Sequence, residues 1–176
     1  MTRDKSKRRK RKIKPEFADL ATTKQGAAGE AIALQYFAGR GWIAYPVGVE
    51  GPHPVDFIVY NPASGKLIAV EVKTYPRLFS SEETGIDLAD YKFYIDFEKQ
   101  NGIEVWLLFV DVFEERMYGA FISYLRPGAR SANGKKYFRL GRFKKLPRLT
   151  PAELETLEPP PNPARYRYLT PYFPKE

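Results

Sequence analysis

The chain has 176 residues, a formal net charge of +8, 43% hydrophobic residues and 15% aromatic residues. That apolar content supports one globular core rather than two large ones, and no apolar run approaches the roughly eighteen residues that span a bilayer. Cysteine is absent and His53 is the single histidine, which excludes disulfides, thiolate metal sites, cysteine nucleophiles and multi-histidine zinc sites. Carboxylates and lysines are left to carry any chemistry. The basic N-terminus is not followed by an apolar signal segment, so the reading expects no secretion and a cytoplasmic or nucleoid-associated protein.

The charge is segregated. Residues 1–14 hold nine basic side chains against Asp4, and residues 126–148 hold nine basic and no acidic ones, whereas residues 15–125 hold 8 basic and 16 acidic ones. An acidic body is therefore flanked by two basic segments. The arm containing Lys7, Arg8, Arg9, Lys10, Arg11 and Lys12 has too little apolar surface to offset its ordering entropy, so disorder is expected in isolation. Such an arm neutralises phosphates and releases counterions, which gives affinity for nucleic acid that is salt-dependent and blind to sequence.

In chain order, Lys24 to Ala38 reads as an amphipathic helix with Ala27, Ala31, Leu34 and Ala38 on one stripe, Thr22 or Thr23 as its cap, and Gly39 or Gly41 as its end. Trp42 to Val47 reads as a first strand and Val55 to Tyr60 as a second. Asn61-Pro62-Ala63-Ser64-Gly65-Lys66 is a strong turn signal, and Leu67 to Lys73 is a third strand apolar enough for a sheet centre. Asp87 to Gln100 reads as a second helix with Leu88, Tyr91 and Ile95 on one stripe, stopped by Asn101-Gly102. Ile103 to Val112 is a long buried strand and Met117 to Leu125 another. A loop is expected over 126–136, then a strand or basic hairpin arm over Tyr137 to Leu146. Eight of the fifteen prolines fall in residues 147–176, so that stretch reads as extended, with at most a short helix over Ala152 to Leu157. Its aromatics, Tyr166, Tyr168, Tyr172 and Phe173, point to packing on the domain or on a partner. The domain reading is a basic arm over 1–20, a core over 21–125, a basic extension over 126–148 and a Pro-rich tail over 149–176. The fold class is α/β (α+β): a mixed central sheet with helices against it.

The chemistry is concentrated in the hairpin of the second and third strands. If residues 60 and 67 close the turn, Asp56 stands opposite Glu71, and opposed residues project to one face with Cβ atoms about 4.5–5.5 Å apart. Two carboxylates that close repel each other unless a cation sits between them. Lys73 follows Glu71 by two and emerges on the same face. Two carboxylates and an amine on one patch can chelate a hard divalent ion beside a lysine, and Mg²⁺ suits oxygen ligands and substrate phosphates.

Glu30 behind Gly29 on the first helix, Pro54-Val55-Asp56 opening a strand, and Glu71-Val72-Lys73 on the next resemble the PD-(D/E)xK nuclease superfamily. The pattern is most similar to its Holliday-junction-resolvase-like members, over about Lys24 to Val112. The resemblance implies a restriction-endonuclease-like core and an Mg²⁺-dependent endonuclease, with Mn²⁺ substituting. It gives Glu30 an outer contact from the helix, makes Asp56 and Glu71 metal ligands with the Val72 carbonyl, and makes Lys73 the catalytic lysine. It implies DNA as substrate, branched or junction DNA first, with RNA as the other polymer, and a homodimer for junction cutting. The competing reading is a non-catalytic nucleic-acid-binding or assembly protein on the same fold. Lys92 on the second helix and Lys135, Lys136 and Arg139 in the basic extension are candidate phosphate contacts. His53 lies in the loop just before Asp56, where a plain loop histidine and a phosphate contact are both open.

Overall fold

A computed structural model describes residues 21–47, 55–75, 77–78 and 81–157. The arm with Lys7 to Lys12, His53 and the aromatics of residues 166–173 lie outside the described residues. The elements are α1 (Ala21–Ala38), β1 (Ile43–Pro46), β2 (Phe57–Asn61), β3 (Lys66–Tyr75), β4 (Glu83–Asp87), α2 (Leu88–Asn101), β5 (Val105–Asp111), β6 (Arg116–Phe121), α3 (Ile122–Leu125), β7 (Arg130–Ala132), β8 (Lys135–Arg139), a 3₁₀ turn (Leu140–Arg142), β9 (Lys144–Arg148) and α4 (Pro151–Thr156).

The main sheet has six strands in the order β1-β2-β3-β5-β6-β9. Every neighbouring pair is antiparallel except β3 and β5, which run parallel and are joined through β4 and α2. That is the mixed sheet flanked by helices which the sequence pattern predicts. The turn after β2 fixes the hairpin register at Asn61↔Lys66 and Phe57↔Val70, the register on which the Asp56–Glu71 argument rests. The apolar run of β3 is explained by its position between β2 and β5, covered on both faces.

The two faces bury different cores. Ile68, Val70 and Val72 of β3 join Ile32, Ala33 and Phe37 of α1. Ala69 shares the opposite face with Tyr94 of α2 and with Leu107 and Phe109 of β5. Residues of alternate parity on one strand therefore serve α1 and α2 separately. Where α1 crosses β3, the chain is in intimate contact. A Cβ added to Gly29 would lie 1.7 Å from Thr74 Oγ1 and 2.8 Å from Thr74 Cβ, so glycine is what allows the helix to sit that close. The helix α2 ends where expected, on Gly102 in the left-handed region with φ 65°, its N–H returning to the Glu98 carbonyl.

Four expectations are corrected. Thr22 and Thr23 lie within the first helix, described over Ala21–Ala38, rather than capping it. The strand predicted over Met117 to Leu125 ends at Phe121, and Ile122–Leu125 forms a short helix that buries Ile122 and Leu125. The predicted loop over 126–136 contains β7 and a tight hairpin turn, with Asn133 and Gly134 at φ 50° and 73°. Both φ values are positive, as the two central residues of a type I′ turn require. Finally, Glu83–Asp87 forms β4, which pairs with β8 in a second, three-stranded sheet ordered β4-β8-β7. Its polar sequence, with Gly85 in the middle, gives no alternating apolar signal. Among the described residues no helix is long and apolar enough to cross a membrane.

Candidate active site at the end of the β2–β3 hairpin

The backbone makes an opening at one end of the main sheet. Ala69 N donates to Glu104 O toward β5, while Val70 O accepts from Asp56 N toward β2. By the same parity, Val72 turns its N–H and C=O toward β2. The β2 ladder ends at Phe57↔Val70, so the Val72 backbone groups face the bend where Asp56 sits. The Asp56 carboxylate takes the place of the missing strand: its Oδ2 accepts from Val72 N at 2.6 Å. A buried N–H without a partner costs about 1–3 kcal/mol, so this bond both satisfies the backbone and fixes the carboxylate.

Glu71 stands beside it and projects onto the α2 face. Asp56 is 9% exposed and Glu71 6%. Lys73 Nζ lies 2.6 Å from Glu71 Oε1 and 3.8 Å from Asp90 Oδ2 in the first turn of α2. The Tyr94 phenol, buried on α2, is a neighbour of the Glu71 carboxylate and coupled to it electrostatically. Burial raises the Glu71 pKa; the Lys73 ammonium opposes this, the Asp56 charge reinforces it, and the carboxyl ends above its ordinary value. Burial works to lower the Lys73 pKa, but Glu71 and then Asp90 outweigh it, and the amine is held above the ordinary lysine value. Burial and the neighbouring Glu71 charge push the Tyr94 phenol far up, so Tyr94 is neutral.

Glu30 comes from the other side of the sheet. It follows Gly29, whose backbone rests on Thr74, and so sits near the same end of β3. Among the described residues no three acidic or histidine side chains converge as a metal cage, so Glu30 does not complete a three-acid set with Asp56 and Glu71. The donors that do gather are two buried carboxylates and the Val72 carbonyl. All are hard oxygens, and the like charges of Asp56 and Glu71 would be relieved by a cation, so the set fits Mg²⁺ or Mn²⁺.

The basic candidates lie around α2 and the second sheet. Lys92 is exposed on α2. Lys136 Nζ is 5.2 Å from the centre of the Tyr91 ring, next to Lys92 in sequence. Lys135 is paired with Asp87 at 3.0 Å, and Arg139 is exposed opposite Glu83. Two residues escaped the sequence reading. Tyr94 was not named on the Leu88-Tyr91-Ile95 stripe although it belongs to the same side of α2, and Asp90 looks like an ordinary acid in a first helical turn. The available signal for Tyr94 was the helical spacing from Tyr91 to Tyr94, which puts both on one side of α2.

No protein-family model and no curated protein matches this chain. Solved structures do. Hjc, a Holliday junction resolvase from the archaeal hyperthermophile Archaeoglobus fulgidus, superposes with a TM-score of 0.50 at 15% identity, covering 67% of this chain and 91% of the resolvase. A nuclease from a fusselovirus superposes with a TM-score of 0.50 at 11% identity, covering 92% of this chain and 100% of the nuclease. The chain thus has a mixed-sheet, restriction-endonuclease-like fold similar to that of these two nucleases.

Proposed function

We propose that this chain is a Mg²⁺-dependent endonuclease that hydrolyses DNA phosphodiester bonds, with branched or junction DNA as the substrate class and Mn²⁺ able to replace Mg²⁺. The observation that carries this reading is the pairing of two buried carboxylates, Asp56 and Glu71, with the Lys73 ammonium 2.6 Å from Glu71 at the point where β2 leaves the sheet. Burying two carboxylates against one ammonium is costly without a further cation. Resolvase and nuclease neighbours support the same chemistry by analogy of fold.

Asp56, Glu71 and the Val72 carbonyl would hold the ion, which when bound supplies positive charge at the reacting phosphate and a more acidic water. The chain's own groups do the rest. The Val72 N–H fixes the Asp56 carboxylate, and Lys73 holds that of Glu71 beside buried Tyr94. Lys73, kept protonated by Glu71 and Asp90, stands beside the phosphate and stabilises the extra negative charge that develops as water attacks phosphorus and the bond to the leaving sugar oxygen breaks. The basic arm with Lys7 to Lys12, together with Lys92, Lys135, Lys136 and Arg139, supplies phosphate contacts, and the protein acts in the cytoplasm or on the nucleoid. Cutting a junction symmetrically calls for a two-fold dimer; RNA is the alternative polymer.

The second reading is a non-catalytic nucleic-acid-binding protein on the same fold. The test is a cleavage assay on linear duplex, single-stranded, flapped and four-way-junction DNA with Mg²⁺, Mn²⁺ or EDTA. Metal-dependent cutting that disappears in Asp56→Asn and Lys73→Gln supports the enzyme. DNA binding with no cutting of DNA or RNA under any metal supports the binding protein.

A further inference from the structure

A groove of about 290 Å³ opens on the α1 face of the main sheet, the face opposite Glu71 and Lys73. Four aromatic side chains line it while remaining partly exposed: Tyr36, Trp42, Trp106 and Phe121. Three cations stand around it: Arg40, Lys66 and Lys144. No carboxylate lines it. We propose that this groove binds an unpaired nucleobase together with its adjoining phosphate, as a second nucleic-acid contact separate from the Asp56–Glu71–Lys73 centre.

The walls suit a flat ring. Trp106 meets Phe121 edge to face at 4.8 Å between ring centres. The indole lies against Gly119, where an added Cβ would come within 2.4–2.6 Å of three indole atoms; glycine therefore seats the ring and holds it in one orientation. Trp42 rests on buried Phe37 at 5.8 Å. The result is a rigid aromatic surface with little rotamer freedom to lose on binding, which is how single-strand binders stack bases without reading sequence. The volume is just below that of clefts for drug-sized molecules, a size that favours one ring over a larger ligand.

The rim suits a phosphate. The Arg40 guanidinium lies 3.8 Å from the Tyr36 ring centre and is tied to the Tyr36 carbonyl at 3.1 Å, so it is fixed in place. Lys66 lies 4.4 Å from the Phe121 ring centre, and its pairing with Glu104 at 2.8 Å joins two side chains that are both about half exposed, a contact a phosphate can displace at little cost. Lys144 is exposed on β9 beside Gly119 and has no acidic partner among the described residues. Residues 158–176 carry three basic and two acidic side chains, so charge does not favour them as the occupant. A ligand with a flat ring and an anionic group satisfies both halves of the groove.

Trp42 and Trp106 are the only tryptophans in the chain, so tryptophan emission reports on this groove alone. The full-length protein is titrated in EDTA, where no metal-dependent cutting occurs and the result is independent of the nuclease reading. The ligands are a short oligothymidylate, a duplex of the same length, and thymidine monophosphate. Emission and nucleic-acid anisotropy are read together. The expected result is saturable quenching by oligothymidylate, with Lys144→Glu weakening it about tenfold and lowering the salt slope by about one, and Trp42→Ala weakening it roughly five- to a hundredfold. Quenching by the monophosphate at equal affinity would assign the groove to free nucleotides; quenching by the oligomer alone would assign it to single strands. Anisotropy that rises with emission unchanged, equal quenching by duplex, or quenching indifferent to Lys144→Glu in a variant that melts like the parent would each overturn the assignment.

Discussion

Two buried ion pairs lie close together along β3 and the residues that follow it, and they are built differently. Asp111, 0% exposed, accepts from Arg77 Nε at 2.7 Å and from the backbone N–H groups of Phe113, Arg77 and Glu114 at 3.0, 3.3 and 3.4 Å. Arg77 spends its remaining donors on the Tyr118 hydroxyl at 3.0 Å and on Glu114 at 3.2 Å. The buried part of this network is one cation against one carboxylate, Glu114 and Glu82 joining from more exposed positions; it pins the chain after β3 to the end of β5. Glu71 has Lys73 and Tyr94, but it also has a second carboxylate beside it, and the charge of Asp56 raises its pKa. The first pair holds structure together. The second keeps an electrostatic tension that a cation would relieve, the property on which the proposed function rests.

Mutations should divide along that line. In the candidate site, Lys73→Gln and Asp56→Asn each keep a hydrogen-bonding group while removing charge. Cleavage should fall by about a hundredfold or more, while thermal melts stay within a few degrees of the parent. A matching collapse of stability would make the pair structural. Arg77→Met should do the reverse. It leaves the Asp111 carboxylate buried without its cation, at a cost of about 3–5 kcal/mol, which lowers the melting temperature by roughly ten degrees. An unchanged melt would show that Asp111 is carried by its backbone donors alone.

The site was legible where local rules fix it. The turn over Asn61 to Lys66 sets the register, and the register puts Asp56 level with Glu71. What the register does not show is that Asp56 stands in the bend rather than in β2, so that its carboxylate bonds the Val72 N–H in place of a strand partner. Tyr94 shares the inward side of α2 with Tyr91 and Ile95, but helical periodicity marks it only as a core aromatic and does not show that it meets Glu71 of β3. The second sheet was hidden by the polar β4, although Asn133-Gly134 is a strong hairpin signal that marks β7 and β8. The aromatic groove had no local signal. Trp42 follows α1 while Trp106 belongs to β5, and only the packing of α1 on the assembled sheet brings them together.

The contact between α1 and β3 predicts a smaller effect on stability than the ion pair. Gly→Ala inside a helix ordinarily stabilises by roughly 0.5–1 kcal/mol. At Gly29 the new methyl would overlap Thr74 Oγ1 and approach Thr74 Cβ, which cannot rotate away. Overpacking of this kind costs about 1–3 kcal/mol, so Gly29→Ala should destabilise on balance. Gly26, with nothing within 4 Å of an added Cβ, is the control, and Gly26→Ala should stabilise. Chemical denaturation of both variants reads the sign directly. If Gly29→Ala also stabilised, α1 would have room to move relative to β3, and Glu30 would not be held at a fixed distance from the site.

The smallest effect is expected in the second sheet, at Glu83 and Arg130. Arg130 Nη2 and Nε reach Glu83 Oε2 at 2.6 and 3.0 Å, and the bonds from Arg130 hold the Glu83 carboxyl below its ordinary pKa, helped by Ser81. A carboxyl lowered in the folded state contributes stability that is fully present above its unfolded pKa of about 4.3 and is lost as pH falls through the folded value. The parent should therefore lose stability on acidification through this window faster than Arg130→Met, while the two variants' difference is constant above about pH 6. Arg130 is half exposed on β7, so solvent and salt screen the pair and the difference should shrink further in high salt. A pH-independent difference would mean that Arg130 acts by stacking its guanidinium on Tyr137, 4.3 Å from the ring centre, rather than by pairing with Glu83.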